Sequence, residues 1–110
     1  MSERRGAERR KLRRYLAAID CAFEAAAVVG HGQIVNISQQ GVFVRSDRLP
    51  ESNAQIALEI DPEGAGIRAS GTVRWTTDQL PPGAVHPRGF GVLVDPTEEF
   101  LTLYEHILLH

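Results

Sequence analysis

Cysteine, long apolar runs and grouped histidines are nearly missing from this 110-residue sequence, and each shortage excludes a class of protein. The single cysteine, Cys21, cannot form an internal disulfide, so a cytoplasmic location is expected. No apolar run approaches the ~18–20 residues that cross a bilayer, so membrane insertion is not expected. The four histidines are scattered without a second ligand at metal spacing, so neither a metal nor a cofactor is expected.

Catalytic groupings are also missing. No nucleophile–base pair, metal cluster or pair of catalytic carboxylates can be assembled from the spacing, so the chain is not expected to be an enzyme. Small barrels that bind RNA or DNA present stacking aromatics on a basic groove. Because this chain has one Trp and two Tyr, and most of it is acidic, a nucleic acid polymer is not an expected partner.

The charge is divided unevenly along the chain. Residues 1–14 hold seven Arg or Lys against Glu3 and Glu8, a net charge of +5. The other 96 residues hold five Arg against twelve acidic residues, a net charge of −7. Six of the seven basic residues are Arg, whose planar guanidinium pairs with phosphate and stacks on bases. The sequence therefore predicts a flexible arginine-rich segment at 1–14, the N-terminal arm, on an acidic domain at 15–110.

Short alternating stretches separated by turn residues come after the N-terminal arm and continue to residue 94. The stretch at 15–27 fits the helical period as well as the strand period, and the β-type character of the chain from there to residue 94 favours a strand. Glycines at 30 and 32 predict a turn. About six short strands at this spacing predict a small barrel or sandwich.

The segment 33–46 predicts a strand, a tight turn and a second strand. Alternation places Val35 and Ile37 on one face of the first strand and Asn36 and Ser38 on the other. Gly41 comes next at the bend, where it can adopt the positive φ of a tight turn. Asn, Ser and Gly are also the commonest turn formers, so routine turn chemistry is the alternative interpretation.

The strand predicted at 67–76 carries the only tryptophan. Trp75 shares a face with Ile67 and Val73, which favours a core position, while Arg74 points outward.

One helix is predicted at the C-terminus, over about 96–109. Asp95 is a suitable N-cap, Pro96 suits the first helical position, and Glu98 completes a capping box.

Taken in order, these features resemble the PilZ domain, a bacterial receptor module for the second messenger cyclic di-GMP. "NISQQG", with Asn36, Ser38 and Gly41, is similar to the family's D/N-x-S-x-x-G motif, and "RRKLRR" supplies its RxxxR. "ASGTVRW" and "RGFGVLV" resemble recurring strand patterns of the family. The resemblance covers about residues 8–109. It implies a mainly all-β fold, a six-stranded antiparallel PilZ-type barrel with a C-terminal helix, in a stand-alone domain.

The resemblance also implies which residues bind the ligand. RxxxR occurs three times in the N-terminal arm, and the family's R-R-x-x-x-R pattern fits Arg9, Arg10 and Arg14 best. Trp75 resembles a position where a large side chain packs near guanine. Many members carry Asp in place of Asn36. A carboxylate accepts two hydrogen bonds from a guanine edge, whereas an amide offers one acceptor oxygen and a donor group.

The function implied is that of a cyclic di-GMP receptor in motility or biofilm regulation. Ligand binding would close the N-terminal arm over the Asn36–Ser38–Gly41 corner and change the surface offered to a protein partner. A ligand-linked dimer is a further expectation. The alternative is a degenerate PilZ-like adaptor that binds protein partners without nucleotide.

Overall fold

The computed structural model describes residues 14–109, which form a closed antiparallel β-barrel followed by a helix. The elements are β1 (Tyr15–Ala25), β2 (Val28–Ile37), β3 (Gly41–Arg45), β4 (Gln55–Ile60), β5 (Ile67–Thr76), β6 (Gly89–Val94) and α1 (Glu98–Leu108). Around the barrel the strand order is β1-β2-β3-β6-β5-β4. The predicted six-stranded barrel with a C-terminal helix is confirmed. Within the range 14–109, no helix is long and apolar enough to span a bilayer.

The core lies inside the barrel and under α1. The segment that fitted both periods forms a strand, β1, in which Cys21, Phe23 and Ala25 all point into this core. Alternation in the sequence also predicts the inward-facing residues of β4 and β6, and the structure confirms them. Those inward residues are Ile56, Leu58, Ile60, Phe90, Val92 and Val94. The helix contributes Phe100 and Tyr104, so it packs against the barrel along its apolar stripe.

The turn predicted at the glycines is wrong, because both glycines lie inside β2. The chain turns earlier, at Ala26, which has a φ of 50°. A Cβ at Gly30 would lie 2.8 Å from the ring of Phe23, and one at Gly32 would lie 2.6 Å from the carbonyl oxygen of Arg45. Glycine is therefore needed here for close packing between strands, which the local sequence does not distinguish from a turn.

An irregularity in β2 alters the face that each residue occupies. The pairing of β2 with β3 shifts between Ile34 and Asn36, so Ile34 and Ile37 both point into the core. Val35 is only half-buried whereas Ile37 is fully buried, so the predicted common face of Val35 and Ile37 is wrong. A single bulge thus breaks the alternation immediately before the predicted corner.

The helix begins two residues later than predicted. Its N-cap is Thr97, whose hydroxyl accepts a hydrogen bond from the amide of Phe100 at 3.3 Å. Asp95 is instead used for a tertiary contact, because its carboxylate accepts a 2.9 Å hydrogen bond from the hydroxyl of Ser70 on β5. The predicted capping box of Asp95 and Glu98 is therefore wrong.

Candidate functional site

The last residue of the N-terminal arm meets the predicted corner. Arg14 precedes β1, and the antiparallel register of β1 and β2 places neighbouring Leu16 opposite Asn36. The Nη1 group of Arg14 donates a 2.7 Å hydrogen bond to Oδ1 of Asn36. Arg14 is exposed and Asn36 is half-buried, so this contact lies at the surface of the barrel. Of the predicted arm residues, Arg9 and Arg10 lie outside the described residues.

Ser38 shapes the turn between β2 and β3. The strand ends at Ile37, and Ser38 is 4% exposed, so Asn36 and Ser38 do not form the predicted outward pair on one strand face. The Ser38 hydroxyl accepts hydrogen bonds from the amides of Gln40 and Gly41, both at 3.2 Å. The same hydroxyl donates to the carbonyl oxygen of Gly41, with 3.5 Å between the two oxygens, which is long for a hydrogen bond.

Gly41 is required at the corner for a different reason from the predicted one. Among the described glycines only Gly66 and Gly83 have a positive φ, so Gly41 does not need a left-handed backbone. A Cβ on Gly41 would overlap the carbonyl oxygen of Val92 on β6. The absence of a side chain therefore allows β3 to approach β6 next to the turn.

Trp75 lies on the outer surface of the barrel, so its predicted core position is wrong. The pairing of β5 with β6 shifts between Val73 and Trp75. As a result, Thr76 rather than Trp75 is buried on the same side of the strand as Val73. The half-buried indole lies 5.4 Å, between ring centroids, from both Phe43 and His86. These neighbours hold the indole beside the corner.

A cleft of about 240 Å³ joins these parts of the barrel. It is lined by the predicted residues Arg14, Ser38, Gly41 and Trp75, while Asn36 is connected to it through Arg14. The remaining lining residues are Gln40, Arg74, Gly91, Val92 and Leu93. The structure thus brings together on one surface all the predicted ligand-binding residues that it describes.

Arg74 is a lining residue that the sequence interpretation missed. Its outward orientation was predicted, but only the pairing of β5 with β6, and of β6 with β3, places it in the same cleft as Arg14. Across residues 14–109 the one ion pair is Arg88–Asp78, so neither Arg14 nor Arg74 is neutralised by a carboxylate there. Two guanidinium groups on one cleft favour an anionic ligand.

The hydrogen bonds at the turn predict different effects for its two polar side chains. Ser38→Ala is expected to lower the free energy of unfolding by about 1–2 kcal/mol, because the amide of Gln40 loses its acceptor and the amide of Gly41 keeps only the backbone carbonyl of Ser38, at 3.4 Å. Asn36→Ala removes only a surface contact, so the free energy of unfolding is expected to change by less than about 0.5 kcal/mol. Urea unfolding of both variants measures this difference. Equal losses would show that the Ser38 hydroxyl does not stabilise the turn.

The fold agrees with a comparison against known protein families. The sequence profile of the PilZ domain matches residues 3–107, which is nearly the whole chain. Comparisons with curated proteins and with solved structures give no match. PilZ domains are receptors, and their family implies cyclic di-GMP as ligand. The match includes both motifs and all six strands, and the chain therefore belongs to the PilZ domain family.

Proposed function

We propose that this chain is a cyclic di-GMP receptor whose N-terminal arm closes over the cleft beside the β2–β3 turn. Closure changes the surface offered to a protein partner. The observation that carries the proposal is the hydrogen bond from Arg14 to Asn36, because it joins the RxxxR motif to the N-x-S-x-x-G motif in one site. The two motifs are separated by more than twenty residues in the sequence and are in contact in the fold.

The chemistry of the cleft suits such a ligand. Cyclic di-GMP carries two phosphates and two guanines, and a guanidinium can be bidentate to a phosphate or to guanine O6 and N7. Arg14 and Arg74 supply two such groups without carboxylate partners among the described residues. The indole of Trp75 offers an apolar surface for a base beside them.

The size of the cleft argues that the described residues form only part of the site. Pockets that enclose drug-sized ligands measure roughly 300–1,000 Å³, whereas this cleft measures about 240 Å³. It therefore has room for part of a dinucleotide. In the proposal, Arg9 and Arg10 of the N-terminal arm cover the remainder.

Ligand binding requires an exchange of partners at Asn36. The N1–H and N2–H₂ groups of guanine are donors and need an acceptor, which at this corner is Oδ1 of Asn36. That oxygen already accepts a hydrogen bond from Arg14. The ligand therefore releases Asn36 by drawing the Arg14 guanidinium to its phosphate or to guanine O6. The Asn36 contact holds Arg14 at the corner before the ligand arrives.

Isothermal titration calorimetry tests the proposal directly. We expect cyclic di-GMP to bind with a dissociation constant in the micromolar region, which corresponds to a binding free energy of about −8 kcal/mol. The value is limited because ordering of the arm over the ligand would cost roughly 2–5 kcal/mol. GTP and cyclic di-AMP are the controls, and neither is expected to match cyclic di-GMP. No heat and no change in the NMR spectrum at saturating cyclic di-GMP would favour the adaptor alternative.

A further inference from the structure

A second and larger depression lies between α1, β1 and the β4–β5 turn. This groove measures about 990 Å³ and shares no lining residue with the ligand cleft. Its apolar lining consists mainly of half-buried side chains: Ile19, Ile67, Leu103 and Ile107. Half-buried aliphatic side chains along a groove leave apolar surface that a covering segment can bury.

The rim of the groove is acidic. Asp61, Glu98 and Glu99 line it and are exposed, and His106 is the one basic side chain among the lining residues. Asp61 accepts a hydrogen bond from the amide of Ala65, and Glu99 accepts one from the amide of Arg68. Amide donors leave the carboxylate charge in place, so the rim stays negative. The helix dipole explains acidic residues at the start of α1, but it does not explain the apolar surface below them.

The N-terminal arm has the charge and the position to cover this groove. Its net charge of +5 complements the acidic rim, and Leu12 adds an apolar side chain. The arm joins the barrel beside α1, because the ring of Tyr15 packs edge-on against Tyr104 with centroids 6.0 Å apart. Tyr104 lies between Leu103 and Ile107 along the helix, so the groove begins near the attachment point of the arm.

The arm is also long enough. The groove extends along α1 from Glu98 to Ile107, which at 1.5 Å per residue is about 14 Å. Thirteen residues in extended conformation reach roughly 43 Å. A tethered segment has an effective concentration in the millimolar range, so contacts that are individually weak suffice to hold it.

We propose that in the ligand-free chain the part of the N-terminal arm before Arg14 lies in this groove, with its arginines against Asp61, Glu98 and Glu99, while Arg14 stays at the corner. Cyclic di-GMP then draws the arm to the ligand cleft and exposes the groove. The second step rests on the proposed function, whereas docking of the arm in the ligand-free chain does not. The groove would therefore be the surface that changes with the ligand.

Paramagnetic relaxation enhancement in the full chain tests the docking. A nitroxide is attached to Ser2→Cys, and Cys21 stays unlabelled because it is buried and burial raises the pKa of its thiol to about 11. Without ligand, the amide signals of Ile67, Leu103 and Ile107 are expected to lose at least half of their intensity relative to the reduced label. Unchanged intensities would overturn the proposal.

Charge-neutral variants of the labelled chain provide the matched comparison. Glu98→Gln with Glu99→Gln is expected to restore the intensities, while Glu24→Gln with Glu51→Gln, at exposed acids outside the groove, is expected to leave them reduced. Equal behaviour of the two pairs would contradict docking through the rim. A mixture of ¹⁵N chains without nitroxide and ¹⁴N chains with nitroxide tests for binding between copies. Broadening of the groove signals in that mixture would assign the groove to the arm of a second copy and overturn the proposal.

Addition of cyclic di-GMP separates the two steps. Recovery of the groove signals, with new broadening at Gly41, supports withdrawal of the arm. If calorimetry shows binding and the groove signals stay broadened, withdrawal is wrong although the receptor function holds. If calorimetry shows no binding, the proposed function and the withdrawal fail, while the ligand-free spectra still decide whether the arm docks.

Discussion

Arg14→Ala is expected to weaken cyclic di-GMP binding at least tenfold while leaving the fold intact. Hydrogen bonds to charged groups contribute about 1.5–3 kcal/mol, and about 1.4 kcal/mol corresponds to a factor of ten in affinity. Arg14 is exposed, and its one side-chain hydrogen bond to another described residue is to the surface amide of Asn36. The free energy of unfolding is therefore expected to change by less than about 0.5 kcal/mol. Calorimetry and urea unfolding measure the two quantities separately.

Arg45→Ala is the matched control, because it removes the same charge at the opposite end of β3. Arg45 is exposed and does not line the cleft, so we expect its affinity change to stay below about twofold at physiological ionic strength, where a charge beyond ~8 Å is largely screened. If both variants weaken binding equally, the effect is one of overall charge. If neither does, Arg14 is not a ligand contact.

Gly41→Ala is expected to produce the largest loss of stability, together with loss of binding. The new Cβ would overlap the carbonyl oxygen of Val92, and a backbone atom in a barrel strand cannot move aside without breaking the β3–β6 pairing. Overpacking of this kind costs typically 1–3 kcal/mol, occasionally more. One kcal/mol shifts the midpoint of a domain of this size by roughly 4–8 °C, so a fall in Tm on the order of 10–20 °C is expected.

Gly71→Ala separates the two effects of that substitution. A Cβ on Gly71 would overlap the carbonyl oxygen of Leu93, so a comparable fall in Tm is expected. Gly71 does not line the cleft. At a temperature where both variants are folded, binding is therefore expected to survive in Gly71→Ala and to be lost in Gly41→Ala. Equal affinity in both variants would contradict a specific role for the corner.

The barrel could be predicted from the sequence because period-two alternation marks the inward face of most strands. For β4 and β6, alternation alone is enough to predict which residues point inward. Val35 and Trp75 were misplaced because each lies beside a bulge, and a bulge depends on pairing with another strand. Gly30 and Gly32 were misread as a turn for a similar reason, since the atoms that require glycine belong to distant residues.

The sequence predicts which residues lie at the candidate site, but it does not predict all the contacts that these residues make. Asn36, Ser38 and Gly41 belong to one motif, and the structure places them at one corner. The internal role of the Ser38 hydroxyl, and the reason for glycine at 41, depend on contacts made only in the folded chain. Arg74 reaches the cleft because β5 pairs with β6, which in turn pairs with β3. The ligand-binding roles of all seven predicted residues stay predictions, and two of them, Arg9 and Arg10, lie outside the described residues.

Pairing of β1 with β4 closes the barrel and has a consequence for recognition. Each of the six strands has a hydrogen-bonded neighbour on both sides over at least part of its length, so no strand presents a wholly free edge to an incoming extended peptide. Recognition by strand addition, which relies on main-chain hydrogen bonds, is therefore confined to places where a strand extends beyond its neighbour, such as the start of β1, whose pairing with β4 covers only Cys21–Glu24. Elsewhere on residues 14–109, a macromolecule binds through side chains on the outer faces of the barrel and along its helix.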